Sequence, residues 1–407
     1  MADPRHVKEL RIFRSDIEAG KLKRTSRGCS FEFQSSFLAN SRFDGLSYQM
    51  KKAVHPFNIE GNNLHPFFAG LLPEGLRLKS LLRNIKTSPD DLFSLFVASG
   101  NRVIGDVYAD SMFDTDDWPI APKLNQIDFY DYLAEILTRN TYLQGEDTIS
   151  GVQEKISASM INFPVNIAKS RYCYILKLNP KDKPNLIENE FCCMRLAELC
   201  GIEVAKTKLV KDKNHNLGLL VERFDRKWDE SRKKMLMHHQ EDACQFLNRY
   251  PADKYIISMN DIAKGIERIS SAPAAILIKL IRIFCFSYLL GNGDLHAKNI
   301  SLVTFDGGSF VNLTPAYDLI STYIYGDHKM ANKFDGKDDN IRRSAVINFG
   351  ARFGILKKAM EHMLDKLISD FAKHNELLTN IPMEEKSHHH LQRMIEKRLA
   401  DLGGLEK

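Results

Sequence analysis

Gly291-Asn292-Gly293-Asp294-Leu295-His296-Ala297-Lys298-Asn299, with Tyr317-Asp318 following downstream, is the stretch on which the reading of this chain turns. Transfer of a phosphoryl group asks a protein mainly for positioning and charge neutralisation: a carboxylate at the acceptor hydroxyl, and an asparagine with a second carboxylate around Mg²⁺. Asp294, Asn299 and Asp318 match those needs in that order. Alone, Gly-Asn-Gly-Asp reads equally well as a turn or cap behind the apolar run ending at Leu290. The register of all three groups favours chemistry. Between them, strand-like runs at 300–304 and 310–313 are joined by Asp306-Gly307-Gly308, a hairpin signal that would bring Asp318 back to Asn299.

Other charged residues fall into place around this loop. Lys177 interrupts the strand formers Tyr174-Ile175-Leu176-Lys177-Leu178 and needs either a partner or a solvent-facing edge. Glu190, on the helix that follows, is the obvious partner, and such a pair orients nucleotide phosphates in phosphotransferases. Lys298 is placed to neutralise the transferring phosphoryl group, against the bland reading of a solvated lysine. His296 either meets a phosphate oxygen or packs to hold the loop's shape, and the structural role is preferred. Ser150-Gly151-Val152-Gln153-Glu154-Lys155 is a phosphate-loop candidate by position, since it lacks both the kinase glycine-rich pattern and the Gly-Lys-Ser/Thr of a P-loop. Glu222, Arg223 and Phe224 end a strand where one lobe would hand over to the next, and hinge backbone can pair with adenine. His239-Gln240-Glu241-Asp242-Ala243-Cys244-Gln245 is dense in polar groups and reads as a buried hydrogen-bond network rather than a catalytic cluster.

The 407 residues allow two or three domains, and 43% hydrophobic with 27% charged residues is the balance of a soluble enzyme. A formal net charge of +5, spread along the chain, argues for neither nucleic acid nor membrane and is compatible with an anionic nucleotide. The longest apolar run, 274–290, carries Lys279 and Arg282 on one helical face and reads as a core helix. Residues 1–11 are charged throughout and show no signal region, so a cytoplasmic location is expected. The seven cysteines lack a disulfide framework and read as reduced, mostly buried thiols rather than metal ligands.

The order of elements supplies the architecture. Residues 1–110 read as a small α+β subdomain with a strand at 29–33, a helical stretch at 67–82 interrupted by Pro73-Glu74-Gly75, and a closing strand at 100–108. An acidic connection with prolines follows. Residues 125–226 read as a helix at 127–137, strands at 155–161 and 171–178, a helix at 188–199 capped by Gly201, and strands at 204–210 and 219–224. Residues 227–407 are mostly helical, with helices predicted at 261–269, 274–290, 351–373 and 388–402 and a mobile loop at 327–343. His388, His389 and His390 read as surface residues. The fold class predicted is α+β: a bilobed protein-kinase-like fold with a small α+β N-terminal subdomain and a mostly helical C-terminal lobe.

On the blocks from Ser150 to Lys155, Asn189-Glu190, Val221-Glu222-Arg223-Phe224-Asp225-Arg226, 240–245, Asp294 to Asn299 and Tyr317-Asp318, the chain resembles the HipA-type serine/threonine kinases of bacterial toxin-antitoxin systems. Phe67-Phe68-Ala69-Gly70-Leu71-Leu72-Pro73-Glu74 is similar to that family's leading subdomain. The resemblance implies an ATP- and Mg²⁺-dependent kinase that phosphorylates an aminoacyl-tRNA synthetase, typically the glutamyl enzyme, and so halts translation. It implies Asp294 as catalytic, Asn299 and Asp318 as metal ligands, Lys177 as the ATP lysine, and a nucleotide face drawn from the 150–155 loop, Glu222, Arg223, Phe224, His296, Tyr317 and Asp318. It also implies a HipB-like DNA-binding antitoxin, which would link the chain to DNA indirectly, and autophosphorylation at Ser150 or Thr148. Two other readings stay open on sequence: a small-molecule phosphotransferase, because Gly-Asp-Leu-His before an asparagine also resembles aminoglycoside and choline kinases, and a catalytically silent partner-binding module. Action in its own cell or delivery into another is likewise open.

Overall fold

The computed structural model describes residues 3–61, 63–99, 103–110, 120–121, 123–139, 161–167, 170–180, 184–305 and 310–404. The first layer is a five-stranded antiparallel sheet in the order Phe57–Glu60, Gly28–Phe33, Ile17–Thr25, Glu9–Arg14, Val107–Asp110. Period-2 alternation sends Leu10, Ile12, Leu22, Phe31 and Phe33 to one face. There they meet Phe67, Phe68 and Phe96 from the short helices Pro66–Gly70 and Leu92–Ser99, forming a core of their own. The predicted closing strand begins later than expected, at Val107, because Gly105 turns with φ +84° and gives its N–H to Asp225 Oδ2 at 2.9 Å.

The second five-stranded sheet runs Ile120–Ala121, Ile161–Ile167, Tyr174–Leu178, Leu217–Glu222, Thr207–Lys211. Phe129, Leu133, Phe163, Leu176 and Leu220 fill the space between one face of this sheet and the helix Phe129–Arg139. The other face meets the helix Leu186–Leu199, whose Ile187, Met194 and Leu196 join the largest core, continuous with the helical lobe. A strand is described at Ile161–Ile167; of the strand predicted at 155–161, all but Ile161 lies outside the described residues.

Pro273–Leu290 is the axis of the helical lobe. It has the length and apolarity to cross a membrane, but 67% of it is buried inside the protein, where Met259–Ile269, Lys357–His374 and Glu385–Gly403 surround it. The helix predicted at 351–373 is two, Arg343–Arg352 and Lys357–His374, because Gly354 adopts φ +75° and breaks the run. The segment expected as a mobile loop is packed instead: Met330, Asn332, Phe334 and Ile341 are buried, and Phe334 lies 4.8 Å from the ring of Phe284 and 4.4 Å from that of Phe349. Asp327, Lys329, Lys333 and Lys337 are exposed and mask these anchors in the sequence. All seven cysteines are free, and five of them are buried.

The N-terminal sheet is joined to the rest by polar ties. His239 bridges Asp106 Oδ1 at 2.6 Å and Glu241 Oε1 at 2.8 Å, and Glu241 Oε1 also accepts the Tyr48 N–H at 2.6 Å. Arg14 reaches the same Asp106 at 3.3 Å. This is the buried network expected of the polar block at 239–245. Burial and Arg14 oppose the imidazolium, but the two carboxylates outweigh them and raise the pKa of His239. Gly70 packs so closely on the adjoining helix Ala243–Phe246 that a Cβ there would come within 2.4 Å of Gln245 Cγ.

Candidate active site

The helix Pro273–Leu290 ends on Gly291, whose φ of +75° lets the chain reverse direction. Gly293 is required for a different reason: a Cβ there would lie 2.4 Å from Asp327 Oδ2 and 2.5 Å from the Lys329 carbonyl. Its N–H donates to Thr322 Oγ1 at 2.6 Å, fastening the loop to the segment beyond Asp318. The backbone of Asp294 is then held on both sides. Its N–H donates to Asn292 Oδ1 at 3.0 Å, while its carbonyl accepts from Asn299 Nδ2 at 2.9 Å and from the His296 N–H at 2.8 Å. Because the Asn299 amide uses its nitrogen on Asp294, the end left over is an oxygen, the donor type Mg²⁺ prefers.

The strands Ser301–Thr304 and Val311–Leu313 pair antiparallel and return the chain to the loop. The Tyr317 hydroxyl donates to the Lys298 carbonyl at 2.9 Å and lies 2.6 Å from Ser301 Oγ, setting the next residue, Asp318, beside Asn299's loop. Asp318 adopts φ +55°, a left-handed conformation costly for a residue with a Cβ, and such strain concentrates at functional sites. Ala316 also bonds to the 203–205 segment, its N–H on the Glu203 carbonyl at 2.8 Å and its carbonyl accepting the Ala205 N–H at 2.9 Å. The two lobes therefore meet two residues before Asp318.

Lys177 closes the arrangement. Its Nζ donates to Glu190 Oε1 at 2.7 Å and Oε2 at 2.8 Å, and also to Asp318 Oδ1. Lys177 and Glu190 are almost fully buried, whereas the Asp318 side chain is 38% exposed. Burial opposes the ammonium, but Asp318 and Glu190 together outweigh it and the Lys177 pKa rises. Burial also pushes the Glu190 carboxyl up, to about 7, and the nearby Asp318 charge adds to the rise against the pull of Lys177. One ammonium is thus shared by two carboxylates, the outer of which opens to the cleft. Asn189 supports the pair from the same helix: it donates to the Ser321 carbonyl at 2.9 Å and accepts the Ser321 N–H at 3.0 Å.

At the strand end, the Glu222 N–H donates to the Lys206 carbonyl at 2.9 Å and the Arg223 N–H to the Cys173 carbonyl at 2.8 Å. The Phe224 ring packs 5.8 Å from that of Tyr317, joining the interlobe strand to the Asp318 segment.

The Arg223 guanidinium binds Asp225 at 2.6 Å and the Val103 carbonyl at 3.0 Å, and with Arg226 it anchors the N-terminal subdomain. The Lys298 ammonium binds Asp242 at 2.5 Å and Glu74 at 3.5 Å, which ties the loop to Glu74 of the N-terminal subdomain. His296 is 7% exposed, with Nδ1 unpartnered among the described residues, and burial lowers its pKa. Ser150, Gly151, Val152, Gln153, Glu154, Lys155 and Thr148 lie outside the described residues. A residue absent from the sequence reading is Tyr255, whose hydroxyl donates to Asp294 Oδ1 at 3.0 Å. No local pattern announces it.

Among the described residues, no group of three or more His, Cys, Asp or Glu could hold a metal alone. A site of one carboxylate and one amide oxygen, completed by phosphate oxygens and water, is nevertheless the way Mg²⁺ is usually held beside a nucleotide. Asp318 and Asn299 fit that description.

A strand lysine clamped to a helix glutamate, a catalytic-type loop and a returning aspartate, divided over two lobes, define the bilobed protein-kinase-like fold, here with a small α+β subdomain in front. Comparison with known proteins makes the assignment narrower. The model of the HipA-like C-terminal domain matches residues 148–375, and that of the HipA N-terminal domain matches residues 10–109. The chain belongs to the HipA family. The protein Y4mE of Sinorhizobium fredii is 30% identical over 318 residues, covering 73% of each chain. The serine/threonine-protein kinase toxin HipA of Shewanella oneidensis is 27% identical over 288 residues, 65% of each. The solved complex of Shewanella oneidensis HipA with HipB and operator DNA contains a chain that superposes with a TM-score of 0.68 at 20% identity, covering 97% of this chain and 96% of that one.

Proposed function

We propose that this chain is an ATP- and Mg²⁺-dependent serine/threonine protein kinase that acts as the toxin of a toxin-antitoxin system. The observation that carries the reading is Lys177, bonded at once to Glu190 and Asp318, which joins the small lobe to the carboxylate of the proposed metal site. When bound, Mg²⁺ would neutralise phosphate charge, with Asp318 and Asn299 as its protein ligands. Lys177 orients the nucleotide phosphates, and Glu190 keeps its ammonium in place. The Glu222 and Arg223 N–H groups being taken, recognition of adenine falls to backbone carbonyls and to the N–H of Phe224. Asp294 aligns the acceptor hydroxyl and receives its proton late in the transfer. A phosphate added at Ser150 or Thr148, in the segment that the family resemblance assigns to the nucleotide phosphates, would add negative charge and switch the enzyme off.

The acceptor proposed is a serine of an aminoacyl-tRNA synthetase, the glutamyl enzyme first. The partner proposed is a HipB-like antitoxin, through which contact with DNA is indirect; the match to a HipA chain solved with HipB and operator DNA supports this. The site of action proposed is the cytoplasm, where both synthetase and ATP are found. Incubation of the purified protein with γ-labelled ATP and bacterial lysate, followed by identification of the labelled protein, tests the reading. A labelled synthetase that disappears with Asp294→Asn supports it. Label on a small molecule alone would move the chain to the small-molecule phosphotransferases, and no label anywhere would leave a binding module.

A further inference from the structure

The backbone of Asp294 is fixed by Asn292, His296 and Asn299, but among the described residues its carboxylate has a single side-chain tie, the hydroxyl of Tyr255 on Oδ1 at 3.0 Å. Tyr255 ends the short 3-10 helix Pro251–Tyr255, its ring lies edge-on to His296 with centroids 5.1 Å apart, and the residue remains 51% exposed. An exposed tyrosine that spends its hydroxyl on a carboxylate has a cheaper alternative in water, so its position requires a restraint. Two are present, and both come from the N-terminal subdomain. Tyr250, at the start of the same short helix, donates its hydroxyl to the Leu64 carbonyl at 3.1 Å, and Lys254 binds Glu74 at 3.3 Å. Glu74 in turn faces Lys298 of the catalytic loop at 3.5 Å. The leading subdomain therefore holds the element that presents Tyr255 to Asp294.

From this geometry we infer that Tyr255 is a positioning residue for phosphoryl transfer, set by the N-terminal subdomain: it fixes Asp294 through Oδ1 and leaves Oδ2 for the acceptor hydroxyl. This rests on the kinase reading above. The subdomain thereby acquires a part in the reaction, steering the base from outside the two lobes. No new covalent step is involved. The acceptor oxygen still attacks the γ-phosphorus, the bond to the β–γ bridging oxygen breaks, and the acceptor proton still passes to Asp294.

The test uses the full-length protein and its own loop hydroxyls as acceptors. Initial rates of self-labelling from γ-labelled ATP with Mg²⁺ are measured for wild type, Tyr255→Phe, Lys254→Gln, the double variant and Asp294→Asn, with ADP·Mg affinity measured in parallel. Loss of alignment at the base predicts that Tyr255→Phe labels about tenfold more slowly, or worse, at unchanged ADP affinity. Lys254→Gln should be slowed less, and the double variant no further than Tyr255→Phe, since both act through one hydroxyl. A lost ring contact would not give this pattern, because phenylalanine keeps the ring against His296. Should wild type label and Asp294→Asn fail while Tyr255→Phe matches wild type, the positioning role is wrong and the kinase reading survives. Phosphate mapped to Tyr255 itself would make it an acceptor and also overturn the inference. A wild type that labels neither itself nor any protein of a bacterial lysate removes the kinase reading, and the inference with it.

Discussion

Two lysines in this protein share one formula, a largely buried ammonium held by two carboxylates, and the difference between them separates chemistry from architecture. Lys177 binds Glu190 and Asp318; Lys298 binds Asp242 and Glu74. In both, burial works against the charge, the paired carboxylates outweigh it, and the pKa is raised. The outer partner of Lys177 is the strained Asp318, facing the cleft between the lobes, where an arriving cation can compete for it. The inner partner of Lys298 is Asp242, which caps the helix Ala243–Phe246 through a capping box. Its other partner belongs to a different subdomain. On the proposed function, Lys177 is arranged for exchange and Lys298 for holding.

The largest effect should come from neither lysine but from Asp294. Asp294→Asn is expected to cut self-labelling by a factor of about 10² to 10⁴ with an unchanged thermal midpoint. Lys177→Met should follow, with about 10² lost in rate and weaker nucleotide binding measured by titration with ADP. Its cost in stability should be small, because burial already raises the Glu190 carboxyl and favours its taking a proton once the ammonium is gone. Lys298→Met should show the reverse balance. Removing one member of a buried ion cluster costs about 3 kcal/mol, so its denaturant midpoint should fall and proteolysis should reach the N-terminal subdomain first. If Lys177→Met were the more destabilising and Lys298→Met the more inactive, the distinction drawn here would be reversed.

The smallest effect concerns pH. His239 has a raised pKa when folded, so its contribution to docking of the subdomain is complete below the ordinary histidine value and is lost as pH rises through the folded one. Asp106, which His239 and Arg14 hold well below the usual carboxylate range against the cost of burial, contributes above that range and loses its contribution in strong acid. Thermal midpoints measured across pH should therefore form a plateau at mildly acidic pH. The alkaline shoulder should vanish in His239→Gln.

The comparison also shows what was legible beforehand. A lysine among Tyr174, Ile175, Leu176 and Leu178 is conspicuous, and its glutamate lies on the next helix, so the Lys177–Glu190 pair could be read directly. Asp294, Asn299 and Asp318 were legible for a similar reason: a short strand pair connects them, and local rules govern hairpins. The ties of Lys298 were not. Glu74 and Asp242 are ordinary acidic residues far along the chain, and only the docking of separate subdomains brings them to the loop. Tyr255 was hidden in the same way. The packed 327–343 segment was obscured by its own charge, since a few anchors such as Phe334 outweigh many exposed lysines and aspartates once a core exists to receive them. Sequence displayed the groups that act within one lobe or across one turn, and concealed those that depend on how separate subdomains dock.

The central claim, that Asp294, Lys177 and Asp318 form one phosphoryl-transfer site, has a direct test in the mass of the purified protein after incubation with ATP and Mg²⁺. The account predicts one added phosphate on wild type, mapping to Ser150 or Thr148, and none on Asp294→Asn. Wild type that stays unmodified and labels nothing in lysate, or an Asp294→Asn protein modified as fast as wild type, would contradict it.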